Sequence, residues 1–264
     1  MEWKPISSRR NERVLRVAAL SRKKCREEAG VFTAEGMTIL ADAARDGFFP
    51  REVYLSAFAE GRLREKIEAI LAASPETEFF LLDDPVFEKI RSEKGSEGVL
   101  CVFPLSVLPP FPADGRGAYL ALEHLQDPGN VGTLLRTAAA FGFRGCFAVD
   151  CADPYGAKAV RASMGAVFHL PVRVCSSQEV LSFSKERGVF AIAASLGENS
   201  LPVEEVPIPE NVCVWIGNEG NGLTETVTRG ADVCAVIPIE KMESLNAAAA
   251  GTVFLWETAR RRKK

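Results

Sequence analysis

From Ala118 onward, short apolar runs alternate with helical stretches. Ala118–Leu122, Cys146–Val149, Val189–Ala194, Val212–Ile216 and Val233–Ile237 read as strands, and Val167–Val174 as an extended segment. Helices are expected over 131–141, Ala157–Ser163, Thr224–Arg229 and Leu245–Arg261. A strand that is apolar along its whole length must be covered on both faces. The pattern therefore predicts an α/β fold built on a mostly parallel sheet. Sheets of this kind take ligands at the carboxyl ends of their strands, so the loops there are the place to look for chemistry.

The first hundred residues predict a smaller α/β unit. Strands are expected at Val31–Thr33, Val53–Leu55, Glu78–Leu82 and Gly98–Phe103, with helices over Met37–Asp46, Ala57–Ala73 and Pro85–Arg91. Leu63, Ile67, Ile70 and Leu71 recur at helical spacing and mark a core face. Residues 1–26 read as a helix in which Arg and Lys surround a short stripe of Val14, Leu15, Val17, Ala18 and Leu20. Clustered Pro104, Pro109, Pro110 and Pro112, then Asp114, Gly115 and Gly117, can continue neither a ladder nor a helix. The expected organisation is an N-terminal domain over 1–104, a linker over 105–117 and a C-terminal domain over 118–264.

The net charge of −3 argues, taken whole, against a nucleic-acid partner. Its distribution argues otherwise. Residues 1–26 carry nine basic and two acidic groups, a net of +7, and Arg260 to Lys264 add +5. The stretch between holds −15, so a polyanion would be drawn to the two ends, although basic runs also serve as plain solvated surface. Seven scattered cysteines without a C-x-x-C, and only His124 and His169, exclude zinc-type spacing. No secretory signal and no apolar run near the ~20 residues of a membrane span is visible. Reduced thiols in a cytoplasmic protein are the simplest expectation.

Three loops carry the chemistry. The first runs from Leu125 through Asp127-Pro128-Gly129, a turn, to Asn130, expected to cap the next helix. Gly132 allows close backbone approach, and Arg136 stands two turns in, amid small residues. The second, Gly217-Asn218-Glu219-Gly220-Asn221-Gly222-Leu223, follows a buried strand. It is neither G-x-G-x-x-G nor a P-loop, and its Glu219 sits between glycines at the end of a core strand. The third runs from Ile237-Pro238 to Ser244-Leu245-Asn246 and four alanines, with Ser244 expected to cap the closing helix. Taken singly, each loop also fits an ordinary capped turn.

Together they resemble the SpoU (TrmH-type) RNA ribose 2′-O-methyltransferases of the SPOUT superfamily. The matching residues are Asn130-x-Gly132-x-x-x-Arg136-Thr137-Ala138, Gly217-Asn218-Glu219-Gly220-x-Gly222-Leu223, and Ile237-Pro238 with Ser244-Leu245-Asn246. Asp153-Pro154-Tyr155, Lys158 and Arg161 to Ala166 look similar, as do Ser8-Arg9-x-Asn11 and Glu35-Gly36 in the N-terminal half. The third loop is one residue shorter than is usual in the family, with Glu240-Lys241 where a glycine is common.

The resemblance implies a C-terminal α/β domain tied in a deep trefoil knot, an arrangement nearly absent from proteins at large. It also implies a homodimer through that domain, and S-adenosylmethionine held by backbone groups of Gly217, Ile237 and Leu245. The reaction implied moves a methyl group from a sulfonium to a ribose 2′-hydroxyl of structured RNA, either ribosomal or transfer RNA, with ribosomal RNA the first expectation. No metal and no membrane are involved. The resemblance gives Arg136 the key role. Deprotonating an arginine of ordinary pKa ~13 near neutral pH costs about 8 kcal/mol, so positioning the hydroxyl and stabilising developing oxyanion charge suit Arg136 better than acting as a base. Glu219 is expected to orient Arg136 or polarise the site, and Asn130, Ser244 and Asn246 to fix the hydroxyl and neighbouring loops. The N-terminal domain then reads RNA, with Arg9, Arg10, Arg13, Lys23 and Lys24 as candidate phosphate contacts. A non-catalytic RNA-binding protein that keeps the fold is the alternative. A Rossmann-type oxidoreductase is disfavoured by the missing glycine fingerprint.

Overall fold

The computed structural model describes residues 1–92, 96–197, 199–242 and 244–262. They form two compact units: Met1–Leu108 with Tyr155–Phe168, and Pro109–Pro154 with His169–Lys264. The segment Tyr155–Phe168, which the sequence places in the second half, packs with the first unit.

The first unit runs β1 (Trp3–Ile6), α1 (Glu12–Ala19), α2 (Lys23–Ala29), β2 (Val31–Glu35), α3 (Met37–Arg45), β3 (Glu52–Ser56), α4 (Ala57–Ile70), β4 (Glu78–Leu82), α5 (Asp84–Phe87) and β5 (Val99–Pro104). Its mixed sheet has the order β1-β4-β3-β5-β2. β1, β4 and β3 are parallel, and β5 is antiparallel to both β3 and β2.

The single helix expected over 1–26 is not formed. Trp3 and Ile6 are buried at its two ends, on opposite faces of the strand, with Lys4 and Pro5 exposed between them; this is an edge strand, where a proline removes no needed donor. Asn11 then caps α1 by accepting from the Arg13 N–H at 2.9 Å, and the chain turns again at Ser21. Val14, Val17 and Leu20 pack into the core with Tyr54, Phe80 and Phe87, whereas Leu15 stays exposed. Phe32, Phe103 and Phe168 form a second cluster, with ring centroids 4.8–5.6 Å apart. Phe168 belongs to the segment that carries α7 (Ala157–Ala162).

The basic residues of α1 are largely engaged. The Glu52 carboxylate is buried and takes Arg16 at 2.5 Å, Arg13 at 3.4 Å and the Tyr54 hydroxyl at 2.7 Å. Arg13 also reaches Glu78 at 3.0 Å and lies over the Phe80 ring. Burial, then the Glu52 charge, holds the Tyr54 phenol well above its ordinary pKa, so it stays a donor.

The second unit runs β6 (Ala118–Glu123), α6 (Pro128–Ala140), β7 (Gly145–Val149), β8 (Val172–Val174), α8 (Ser177–Arg187), β9 (Phe190–Ala194), β10 (Leu201–Pro202), β11 (Val212–Ile216), α9 (Glu225–Gly230), β12 (Val233–Val236) and α10 (Ala247–Arg261). Its seven strands are parallel throughout, in the order β10-β12-β9-β11-β6-β7-β8. Tyr119, Phe147, Cys213 and Trp215 fill one face with Val180 of α8 and Val227 of α9. On the other face, a Cβ at Gly251 would stand 2.4 Å from Leu134 and 3.5 Å from Ile216, so α10 lies against α6 and β11 at backbone distance.

The proline-rich stretch before β6 is tied down at its end. Phe111 packs on Phe147, and Arg144 grips Asp114 at 2.7 and 2.9 Å. That contact, with the Arg116 N–H, draws the Asp114 carboxyl down to about 2. Helix α8 was not foreseen, although Ser176 and Glu179 form a capping box at its start. All seven cysteines are free thiols, and no helix among the described residues is long and apolar enough to cross a membrane.

Removing the buried carboxylate strands the partners gathered around it. Glu52→Ala is expected to lower the unfolding free energy by about 2 kcal/mol, while Arg13→Ala, half-exposed, costs under about 1 kcal/mol. Urea denaturation of the two variants measures the difference, and equal midpoints would contradict the assignment of Glu52 as the hub.

Candidate functional site

A cavity of about 490 Å³ opens at the carboxyl ends of β9, β11 and β12. That volume lies within the range of small-molecule sites. Its walls are backbone and small or apolar side chains: Ala194, Gly217, Ala235, Ile237, Leu245 and Ala247 among them. All three residues expected to hold a cofactor, Gly217, Ile237 and Leu245, are therefore in one wall, and Glu219 and Ser244 line the same space.

The glycine loop after β11 closes on itself. Asn218 and Gly222 exchange backbone hydrogen bonds of 3.1 and 3.0 Å, and the Asn218 side chain accepts from the Gly220 and Asn221 N–H groups. A Cβ on Gly217 would lie 2.4–2.5 Å from the backbone of Gly222 and Leu223. Gly222 itself has φ +66°, the left-handed region. The loop is fastened below by Glu123, fully buried at the end of β6. Glu123 accepts from the Thr224 N–H at 2.8 Å, the Thr224 hydroxyl at 2.9 Å and the Ser177 hydroxyl at 2.6 Å. Asn218 Nδ2 donates to the His124 carbonyl at 3.0 Å, and His124 takes a left-handed φ of 58°. Glu123 and His124 carry no role in the sequence reading, and Asn218 enters it only as part of the glycine-loop motif. A carboxylate closing an otherwise apolar strand was the available signal.

The three loops meet in one hydrogen-bond chain. Asn246 Nδ2 donates to Asn130 Oδ1 at 3.3 Å, and Asn130 Nδ2 donates to Glu219 Oε1 at 2.5 Å. Both helix caps differ from expectation. Pro128, favoured in a first turn, starts α6 earlier, and Asp127 is its cap, accepting from the Gly129 N–H at 2.8 Å. This places Asn130 inside the first turn, with its amide free for the two neighbouring loops. Asn246, not Ser244, caps α10, accepting from the Ala248 and Ala249 N–H groups. Ser244 is exposed beside it, and Glu243 lies outside the described residues.

Arg136 is placed differently. Six residues beyond Asn130, it stands about 9 Å further along α6 and about 120° around it. It is exposed, does not line the cavity, and forms no hydrogen bond or ion pair among the described residues. Of the two roles expected for Glu219, orienting Arg136 is not seen: Glu219 accepts from Asn130 and lines the cavity.

The candidate RNA contacts divide as well. Arg9 and Arg10 are exposed, with no side-chain partner among the described residues. Lys23 and Lys24 make only long 3.8 Å pairs with Glu27 and Glu28, exposed and easily screened. Arg13 is committed to Glu52 and Glu78. In the tail, Arg260 pairs with Glu257 and Arg261 donates to the Val203 and Val206 carbonyls; Lys263 and Lys264 lie outside the described residues. No cluster of three or more His, Cys, Asp or Glu suited to a metal occurs among the described residues.

A parallel sheet with a backbone-walled cavity at its strand ends defines a small-molecule-binding α/β enzyme architecture. Known proteins narrow that class. Residues 117–256 match the SpoU rRNA Methylase family, and residues 11–101 match an MRM3-like substrate binding domain. The chain belongs to the SpoU rRNA methylase family, a family of RNA methyltransferases. It is 27% identical to the Bacillus subtilis 23S rRNA (guanosine(2553)-2′-O)-methyltransferase RlmP, over 96% of this chain and 98% of that one. Among solved structures it is similar to an rRNA methyltransferase from Sinorhizobium meliloti, with a TM-score of 0.83, 29% identity and 98% of each chain covered. An AdoMet-bound structure of an rRNA methyltransferase from the same organism matches at 28% identity over 97% of each chain, also with a TM-score of 0.83.

A methyl group at position 217 must push the Gly222 backbone aside. Gly217→Ala is expected to destabilise the protein by about 1–3 kcal/mol, read as a lower midpoint in urea. An unchanged midpoint would mean that the loop does not need the close approach described.

Proposed function

We propose that this protein transfers a methyl group from S-adenosylmethionine to a ribose 2′-hydroxyl of ribosomal RNA. The observation that carries the reading is the Asn246–Asn130–Glu219 chain at the rim of a cavity walled by Gly217, Ile237 and Leu245. The wall fits the cofactor: small residues leave room for an adenosyl group, and loop backbone supplies donors and acceptors that side chains do not crowd. Bound there, S-adenosylmethionine supplies an electrophilic methyl group on a sulfonium.

The protein's own residues then have to hold a ribose and deal with its hydroxyl proton. Asn130 and Glu219 offer a donor and acceptors fixed relative to the cavity, and Asn246, bonded to Asn130, and the exposed Ser244 add further polar groups. Arg136 is assigned the electrostatic role, positioning the hydroxyl and stabilising the charge that develops as its proton leaves. Its exposure on α6 is consistent with a homodimer in which the free faces of α6 and α10 meet. Trp256, 51% exposed and set against Phe141, and the partly exposed Val253 support that reading, because both lie on α10 and a contact there would cover them. The deep trefoil knot is proposed with the same family architecture. The first unit, Met1–Leu108 with Tyr155–Phe168, is proposed to bind the RNA through Arg9 and Arg10, with Lys23 and Lys24 adding screened attraction.

Arg136→Ala is expected to reduce methyl transfer to ribosomal RNA by a factor of ~100 or more, with the affinity for S-adenosylmethionine unchanged. Transfer of labelled methyl and calorimetric titration of the cofactor measure the two quantities separately. A variant that keeps most of its rate would overturn the role given to Arg136.

A further inference from the structure

The strand directions in the first unit gather several loops on one edge. Because β1, β3 and β4 run parallel, and β5 opposes both β2 and β3, the carboxyl ends of β1 to β4 and the start of β5 share that edge. Arg9 and Arg10 follow β1, Glu35 ends β2, Phe58 follows β3, Asp84 follows β4, and Glu97 precedes β5.

Phe58 is 79% exposed, more than any other large apolar side chain among the described residues. It is not on a loose loop. It sits in the first turn of α4, where Ser56 caps the helix, and its N–H donates to Asp84 Oδ1 at 2.9 Å. One turn later, the Arg62 guanidinium lies 5.8 Å from the ring centroid and donates to the Glu97 carbonyl at 3.3 Å. Glu97 in turn accepts from the Met37 N–H at 2.7 Å. The ring is therefore held out into solvent by a framework that joins four loops.

The charges around it are unevenly engaged. Three acids on this edge are tied to backbone donors: Asp84 to Phe58, Glu97 to Met37, and Glu35 to the Ser92 N–H at 2.5 Å. Arg9 and Arg10 have no side-chain partner among the described residues, and Lys89 braces their turn by donating to the Arg9 carbonyl at 2.9 Å. A lone exposed ring with the Arg62 guanidinium beside it, and with Arg9 and Arg10 on the same sheet edge, does not resemble a protein-docking face, which needs a contiguous apolar centre. It does match a nucleobase, which offers a flat apolar face joined to a phosphate chain.

We propose that Phe58 is a stacking platform for an unpaired base of the RNA substrate, with Arg62 flanking the base and Arg9 and Arg10 on the adjoining phosphates. The proposal rests on the RNA-methyltransferase reading above and assigns that substrate a splayed-out nucleotide at this edge. Stacking and phosphate contacts respond differently to salt, which separates them.

The test measures binding of protein-free ribosomal RNA to the full-length chain over a range of salt concentrations. Phe58→Ala is expected to weaken binding on the order of tenfold at every salt concentration, leaving the slope of log affinity against log salt unchanged. Phe58→Trp is expected to restore it. Arg9→Ala with Arg10→Ala is expected to flatten the slope by about 1 to 2 instead. Affinity for S-adenosylmethionine, unchanged in each variant, shows that the second unit is intact. Wild-type RNA affinity in Phe58→Ala, or a Phe58→Trp variant as weak as the alanine one, would overturn the stacking assignment alone. A wild-type chain that binds S-adenosylmethionine but no RNA would overturn the functional reading and this inference with it.

Discussion

The amide of Asn130 faces two partners at once, and the site depends on that. A parallel sheet delivers its loops to one end but does not by itself join them. Here the loop after β6, the loop after β11 and the loop before α10 come from distant parts of the chain. Asn130 accepts from Asn246 on one side and donates to Glu219 on the other, so the three become one rim. Beneath it, Glu123 holds the glycine loop to the end of β6 through Thr224. A buried carboxylate is tolerated because three donors satisfy it. Gly217 then lets the loop fold back on its own backbone. Each contact is modest alone. Together they fix the cavity wall before any ligand arrives, and such preorganisation is what makes a polar site effective.

Much of this was legible in the sequence because the second unit is locally consistent. Its central strands β7, β9 and β11 are short and apolar throughout, so their burial on both faces could be read without partners. Gly217, Ile237 and Leu245 fell in one cavity wall because ordered motifs carry spatial information that spacing alone does not. The N-terminal stretch was harder. Arg and Lys around Val14, Val17 and Leu20 look like a basic helix. Yet Trp3–Ile6 is an edge strand, and β1 exists only by pairing with β4, with Trp3 opposite Phe79, 76 residues further along the chain. Capping misled in the same way: Asn130 and Ser244 are good caps, but Asp127 before a proline and Asn246 with two amides to satisfy are better placed. The position of Tyr155–Phe168 in the first unit depends on tertiary packing, including Phe168 against Phe32 and Phe103, and leaves no local mark.

Charge shows how far a count can mislead. The +7 of the first 26 residues is not a free basic patch, because Arg13 and Arg16 are drawn onto the buried Glu52 and help hold α1 to the sheet. What is left for a polyanion is smaller: Arg9 and Arg10 at the same strand-end edge that carries the exposed Phe58 ring. Salt weakens phosphate contacts far more than base stacking, and the first unit has side chains suited to each.

The most direct test of the account is mass mapping of ribose methylation in ribosomal RNA from cells with the gene intact, deleted, and restored with either wild-type or Asn130→Ala protein. The account predicts one 2′-O-methyl nucleotide that is present in wild-type cells, lost on deletion, regained with the wild-type protein and missing with the variant. An identical set of 2′-O-methyl nucleotides in intact and deleted cells would contradict it.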